Sequence, residues 1–171
     1  MLPHNRILKT KTRPARGSHL PVLMKLLSLT TGPVLEVGCG MYSTCYLHWA
    51  CYVNKRPLVT YETNSDYFDF LRQFESDFHT IHCITNYDEV DWSPAWSVAF
   101  IDHVPNERRH LDIKKVTHAK YIAAHDADNT DMKNYHYDKL YRTFRYRAKY
   151  HKAHPATAIF SNYHDLSDLI I

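Results

Sequence analysis

The chain has 171 residues, 21 lysines and arginines against 18 acids, and an apolar share of 44%. Such a length and balance fit one domain with a real core and exclude an intrinsically disordered chain. The lack of an apolar run of about 18 residues excludes a membrane span, and the N-terminal stretch lacks the apolar centre of a secretory signal.

Taken in order, residues 1–16 carry Arg6, Lys9, Lys11, Arg13 and Arg16 with no acid. They read as a flexible basic arm, either a solvated tail or one that touches an anionic substrate. Residues 17–171 read as a single domain. Ser18 is placed to cap a helix on which Leu20, Leu23, Met24, Leu27 and Leu29 fall near helical spacing. Gly32-Pro33 ends it, and Val34-Leu-Glu-Val37 is an apolar strand interrupted by one acid, Glu36. Gly38-Cys-Gly40 then forms a turn into a helix over 43–53. Strand, glycine turn and helix together bring backbone N–H groups and a helix N-terminus against a ligand.

A second strand is predicted over 58–62, ending in Glu62. A helix capped by Asn64 or Ser65 follows, with Tyr67, Phe68, Leu71 and Phe74 as its apolar face. Further strands fall at 80–85, at 96–101 ending in Asp102-His103, and at 119–124 ending in His125-Asp126. The polar segment 106–115 reads as helical, with Arg108 and Arg109 either on a charged helix surface or forming an anion clamp. Residues 141–151 alternate aromatic and basic side chains, which predicts a strand with its basic face outward. A seventh strand at 156–161, joined by a short connection, pairs with it antiparallel. The four cysteines, Cys39, Cys45, Cys51 and Cys83, form no C-x-x-C pair and read as reduced thiols, so a cytoplasmic protein is expected.

Apolar strands alternating with helices predict an α/β, Rossmann-like three-layer sandwich. Its sheet is seven-stranded and mostly parallel, with a C-terminal antiparallel strand pair. Ligands bind such sheets beyond the carboxyl ends of the strands. Here every parallel strand ends in a polar group, and most end in an acid or a histidine.

Leu35-Glu-Val-Gly-Cys-Gly40 with Ser43-Thr44, Glu62 closing the second strand, Phe100-Ile-Asp-His103 closing the fourth, and the terminal strand pair resemble a class I S-adenosylmethionine-dependent methyltransferase. The likeness is nearest to the small O-methyltransferase branches. It implies S-adenosylmethionine as cofactor, with Gly38, Cys39, Gly40 and Ser43 around its methionine part and Glu36 holding its amino group. It further implies Glu62 on the ribose hydroxyls, Thr63 and Asn86 beside the adenine, and Asp102 facing the sulfonium. Tyr42 stands where the family often has a third small residue.

A further likeness to catechol-type, metal-dependent enzymes implies a Mg²⁺ site from Asp102, Asp126 and Asp128 or Asn129. Pro105 replaces the lysine of those enzymes, which argues against catechol as the acceptor. Without metal, His103 or His125 would be the general base, and Asp126 would share the catalytic end of the site.

The resemblance implies O-methylation of a small molecule or sugar, with a homodimer as one way to cover the acceptor. Two alternatives stand beside it. One is a nucleic-acid methyltransferase using the basic arm and the 139–152 stripe, whose tyrosines face the core in a strictly alternating strand. The other is a cofactor-binding protein that works by interaction.

Overall fold

A computed structural model of the chain describes residues 13–128, 133–167 and 169. The helices include α1 (Leu20–Ser28), α2 (Ser43–Val53), α3 (Ser65–Leu71) and α4 (Arg109–Lys115). The strands are β1 (Val34–Val37), β2 (Leu58–Glu62), β3 (His79–Cys83), β4 (Val98–Ile101), β5 (Tyr121–Ala124), β6 (Tyr146–Tyr150) and β7 (Thr157–Ser161). All seven strands join one sheet in the order β3-β2-β1-β4-β5-β7-β6. The first five are parallel to one another, and β7 runs antiparallel between β5 and β6. No helix among the described residues is long and apolar enough to cross a membrane.

The central strands are buried on both faces, so their sequences are apolar without alternation. Val34, Val98, Phe100 and Ala123 face one cluster with Leu23, Leu26 and Leu47 from α1 and α2. Leu35, Val37, Ala99, Ile101, Ile122 and Ala124 face the other, with Ile113 of α4, Tyr137 and Phe160. Each fully buried leucine or isoleucine in these layers contributes about 1.5–3 kcal/mol.

The structure moves several predicted boundaries. The segment 106–115 opens as a 3₁₀ turn, Asn106–Arg108, before α4 begins. The strand predicted over 141–151 shrinks to Tyr146–Tyr150, because Phe144 dives into the core against Phe160, with ring centroids 5.1 Å apart. Within β6 the alternation holds: Tyr146, Ala148 and Tyr150 are half-buried while Arg147 and Lys149 are exposed. Asn64 is the cap of α3, its side chain accepting from the Asp66 and Tyr67 amides. Ser18 does not cap α1: it ends the 3₁₀ turn Pro14–Gly17, its N–H donating to Ala15 O, while His19 occupies the N-cap position and the Ser18 hydroxyl turns toward the sheet.

Arg56, in the loop that follows α2, fastens this scaffold from inside. It is 1% exposed and donates to the carbonyls of Gly32, Leu27 and Thr30 and to Thr30 Oγ1. It thereby ties the end of α1 and the entry to β1 to the end of α2. Arg56→Met strands those acceptors without a donor, and urea denaturation should show a loss of about 2–3 kcal/mol at unchanged m-value.

Candidate functional site

The carboxyl ends of β1, β2, β4 and β5 lie side by side along one edge, locked by ladder bonds that run past the strands. Gly38 N donates to Tyr61 O at 2.9 Å, Asp102 N to Val37 O at 2.9 Å, and His125 N to Ile101 O at 3.3 Å. A cavity of about 800 Å³ opens above this edge. That is room for a nucleoside-sized ligand with a second small molecule beside it. Its wall includes Cys39, Gly40, Ser43, Glu62, Thr63, Asp102, His103, His125 and Asp126, all predicted from sequence.

Gly38 makes the turn. Its φ is +88°, and a Cβ there would lie 2.6 Å from both His103 N and His103 Cα. Only glycine lets the end of β1 pass the end of β4 this closely. Behind the turn, Thr44 Oγ1 accepts from Gly40 N at 3.0 Å and donates to Glu36 Oε2 at 2.9 Å. Thr60 Oγ1 donates to the same oxygen at 2.8 Å. Glu36 is fully buried, and burial pushes its carboxyl up to about 7. It braces the turn from within the sheet and is absent from the cavity wall.

Glu62 sits at the cavity surface and joins β2 to the turn. Its Oε2 accepts from Cys39 N at 2.8 Å, and its Oε1 accepts from Thr63 N and Asn64 N at 2.8 and 2.7 Å. A carboxylate has about four acceptor positions, so three amides fix its orientation and leave acceptor capacity toward the cavity.

At the other end lies a charge cluster that sequence reasoning missed. Arg109, 2% exposed, enters from the head of α4. Its guanidinium contacts Asp102 Oδ1 at 2.9 Å and Asp126 Oδ2 at 3.2 Å, and donates to the carbonyls of His103 and His125 at 2.7 and 3.2 Å. A cation thus already bridges two of the three acids proposed for Mg²⁺. The third, Asp128, is not in the cavity wall; it lies 3.1 Å from His154 Nδ1 and accepts from Ala156 N. The Mg²⁺ set is therefore not assembled from these three, and Asn129 lies outside the described residues.

His125 Nδ1 lies 3.3 Å from Asp102 Oδ2 and 3.5 Å from Asp126 Oδ1. Its Nε2 is 2.8 Å from Ser18 Oγ, and that hydroxyl donates its own proton to Pro155 O at 2.7 Å. Ser18 therefore accepts from Nε2–H. With Nδ1 turned to two carboxylates, the ring is poised as an imidazolium. Burial pushes His125 down, but the Asp102 hydrogen bond and charge outweigh it and leave it above the ordinary value. Asp102 shows the converse. Burial pushes it up, and the His125 bond with the Arg109 charge holds it below the ordinary value.

His103, the other predicted base, keeps its side chain wholly buried, with Nε2 3.1 Å from Asp112 Oδ2 and its ring stacked on Tyr87. Asn86 is exposed outside the cavity, its side chain capping the 3₁₀ turn Tyr87–Glu89. Arg13, which precedes the 3₁₀ turn Pro14–Gly17, and Arg16 within it, both assigned to the arm by sequence, are exposed at the cavity wall. Residues 1–12 of that arm lie outside the described residues.

No family model matches the chain, and no curated protein matches its sequence. Solved structures do match. The N-terminal domain of human METTL16 aligns at a TM-score of 0.66 and 10% identity, over 91% of this chain and 72% of that one. Cofactor-bound Rv0187 from MTB aligns at 0.66 and 15%, over 91% and 84%. The precorrin-6y C5,15-methyltransferase from Geobacter metallireducens aligns at 0.58 and 13%, over 82% and 84%. The chain has the class I methyltransferase fold. In this methyltransferase fold the cavity edge is formed by the carboxyl ends of β1, β2, β4 and β5; the end of the third strand, Thr85 and Asn86, which the sequence reading also placed there, is not in the cavity wall.

His19 is a cavity residue the sequence did not single out, while Arg109, read as part of a charged helix surface or an anion clamp, clamps the chain's own Asp102 and Asp126. His19 has no local signature, since its place depends on α1 docking against β4 and β5.

Proposed function

We propose that the chain is an S-adenosylmethionine-dependent methyltransferase acting on an oxygen of a small molecule or sugar. The observation that carries this reading is Glu62. Its carboxylate is held rigid by three amides at the end of β2, faces the cavity, and stands directly against the glycine turn. A nucleoside ribose beside such a carboxylate donates hydrogen bonds to it, and the backbone of Cys39 and Gly40 lines the cavity for the amino-acid part.

When bound, S-adenosylmethionine supplies an electrophilic methyl group on a sulfonium. The residues of the chain do the rest. Glu62 and the turn hold and orient the cofactor, and alignment of nucleophile and methyl accounts for most of the rate gain in such transfers. Asp102 is the carboxylate of the cavity wall at this end, while Glu36 is out of the cavity and does not share that role. His125, its Nε2 held by Ser18 and its Nδ1 between Asp102 and Asp126, is the cavity imidazole at the acceptor end of the site, with Asp126 the carboxylate beside it. Arg13 and Arg16 at the wall favour an acceptor that carries negative charge.

The test is transfer of a labelled methyl group from S-adenosylmethionine to a panel of hydroxylated small molecules, sugars and RNA. Label in an anionic sugar or metabolite supports the reading, and label in RNA alone moves it to the nucleic-acid alternative. Glu62→Gln should weaken S-adenosylhomocysteine binding about 10- to 100-fold, the worth of one or two charge-assisted hydrogen bonds. Unchanged affinity in that variant would remove Glu62 from the cofactor.

A further inference from the structure

Beside Asp102 stands a histidine that nothing in the cavity satisfies. His19 is 2% exposed, yet neither ring nitrogen has a hydrogen-bond partner. Buried imidazoles are almost always hydrogen-bonded, because an unpaired buried polar atom carries its full desolvation cost. The ring is fixed by packing, 4.7 Å from Phe100 and 4.6 Å from His125 between centroids. Burial first and the His125 charge second lower its pKa to about 4, so one ring nitrogen offers a lone pair and the other carries an N–H.

His19, Asp102 and His125 each offer one ligand atom, and these atoms lie within 4.8 Å of one another. They come from three elements: the head of α1 and the ends of β4 and β5. No other group of three or more such residues meets that condition among the described residues.

For His125 and Asp102 the surroundings supply what a metal site needs beyond its ligands. A metal-bound histidine donates its second N–H to a fixed acceptor, which sets the tautomer and aims the other nitrogen at the ion. Here His125 Nε2–H meets Ser18 Oγ, itself anchored on Pro155 O, and Nδ1 is aimed at Asp102 Oδ2. Asp102 is oriented in turn, with Oδ1 taken by Arg109 and Oδ2 turned to the histidine.

We propose that His19, His125 and Asp102 form a binding site for a divalent transition-metal ion that accepts imidazole and carboxylate ligands, Zn²⁺ or Fe²⁺, opening on the cavity. Two imidazoles and one carboxylate suit those ions, while Mg²⁺ and Ca²⁺ call for all-oxygen sets. Ligands about 2.0–2.1 Å from a tetrahedral ion stand roughly 3.4 Å apart, so the set closes by about an ångström on binding. The ion takes the place of the proton between His125 Nδ1 and Asp102, and that proton leaves to solvent. Asp102, Oδ1 held by Arg109, keeps its other oxygen for the metal. The remaining coordination positions face the cavity, where a water or an acceptor hydroxyl would fill them. Metal binding is independent of which nucleotide the cavity takes, so it can be read without S-adenosylmethionine.

The full chain, stripped with chelator and desalted, is titrated with Zn²⁺ by calorimetry and with Co²⁺ by visible absorption. One equivalent should bind, with visible bands of a nitrogen–oxygen Co²⁺ site that excess Zn²⁺ erases. His19→Phe keeps the ring packing and should weaken binding at least about 100-fold, and His19→Asn serves if the first variant melts early. Ser18→Ala, which removes only the support of His125, should weaken it about 10-fold. His164→Ala and Asp128→Asn should leave it unchanged. Absence of saturable binding, or His19 variants that bind as the parent chain does, would overturn the proposal.

Discussion

Arg109→Met is expected to destabilise the chain by about 3–5 kcal/mol, the range for removing one partner of a buried ion pair. Methionine roughly preserves the length and packing of the stem and removes only the charge and the donors. Asp102 and Asp126 would then face each other without their bridging cation, and the carbonyls of His103 and His125 would lose a donor. Urea denaturation at several pH values reads this directly. In the parent chain Asp102 titrates below its ordinary value, so its contribution is present above that value and is lost as pH falls through the folded one. The deficit of the variant should therefore be largest near neutral pH and narrow under acid conditions. A deficit under about 1 kcal/mol at neutral pH would show that the cluster is solvated and that Arg109 is a surface residue after all.

The second large effect belongs to the glycine turn. Gly38→Ala should cost roughly 3–5 kcal/mol, combining a strained left-handed backbone with overpacking. The added Cβ meets backbone, at 2.6 Å from His103 N and 2.7 Å from Asp102 C, and backbone cannot swing aside as a side chain can. Relief of the clash parts the ends of β1 and β4, so ligand affinity at the cavity should fall with stability. Gly40→Ala is the internal control. Its nearest neighbour would be Ser43 Oγ at 3.6 Å, an ordinary contact, so it should fold nearly as the parent does. Similar melting temperatures for the two variants would contradict the close approach assigned to Gly38.

These residues also show where a sequence is legible. Helix α2 and strand β2 were readable to the residue, because glycine, proline and a change of hydrophobic period bound them locally. The strand ends were readable as a set, since a parallel sheet brings its carboxyl ends to one edge whatever the loops do. Pairwise placement was not. Arg109 looks like any basic residue on a short helix, and it is buried only because the 3₁₀ turn at Asn106–Arg108 aims the first residue of α4 under the cavity. Asp128 shares a run with His125 and Asp126 but turns to His154, a partner 26 positions away that no local pattern reveals. Glu36 has the right spacing to the glycines and still sits behind them, because the side chains of a central strand point into the layers of the sandwich.

The central claim is that the cavity over β1, β2 and β4 is a nucleoside-type cofactor site closed on one side by Glu62. Isothermal titration of the full chain with S-adenosylhomocysteine tests it most directly. The account predicts saturable binding at one equivalent, weakened about 10- to 100-fold by Glu62→Gln, a variant that should melt cooperatively but somewhat lower, because its amide NH2 faces a backbone N–H that the carboxylate accepted. No heat of binding at millimolar ligand, from a chain that melts cooperatively, would contradict it.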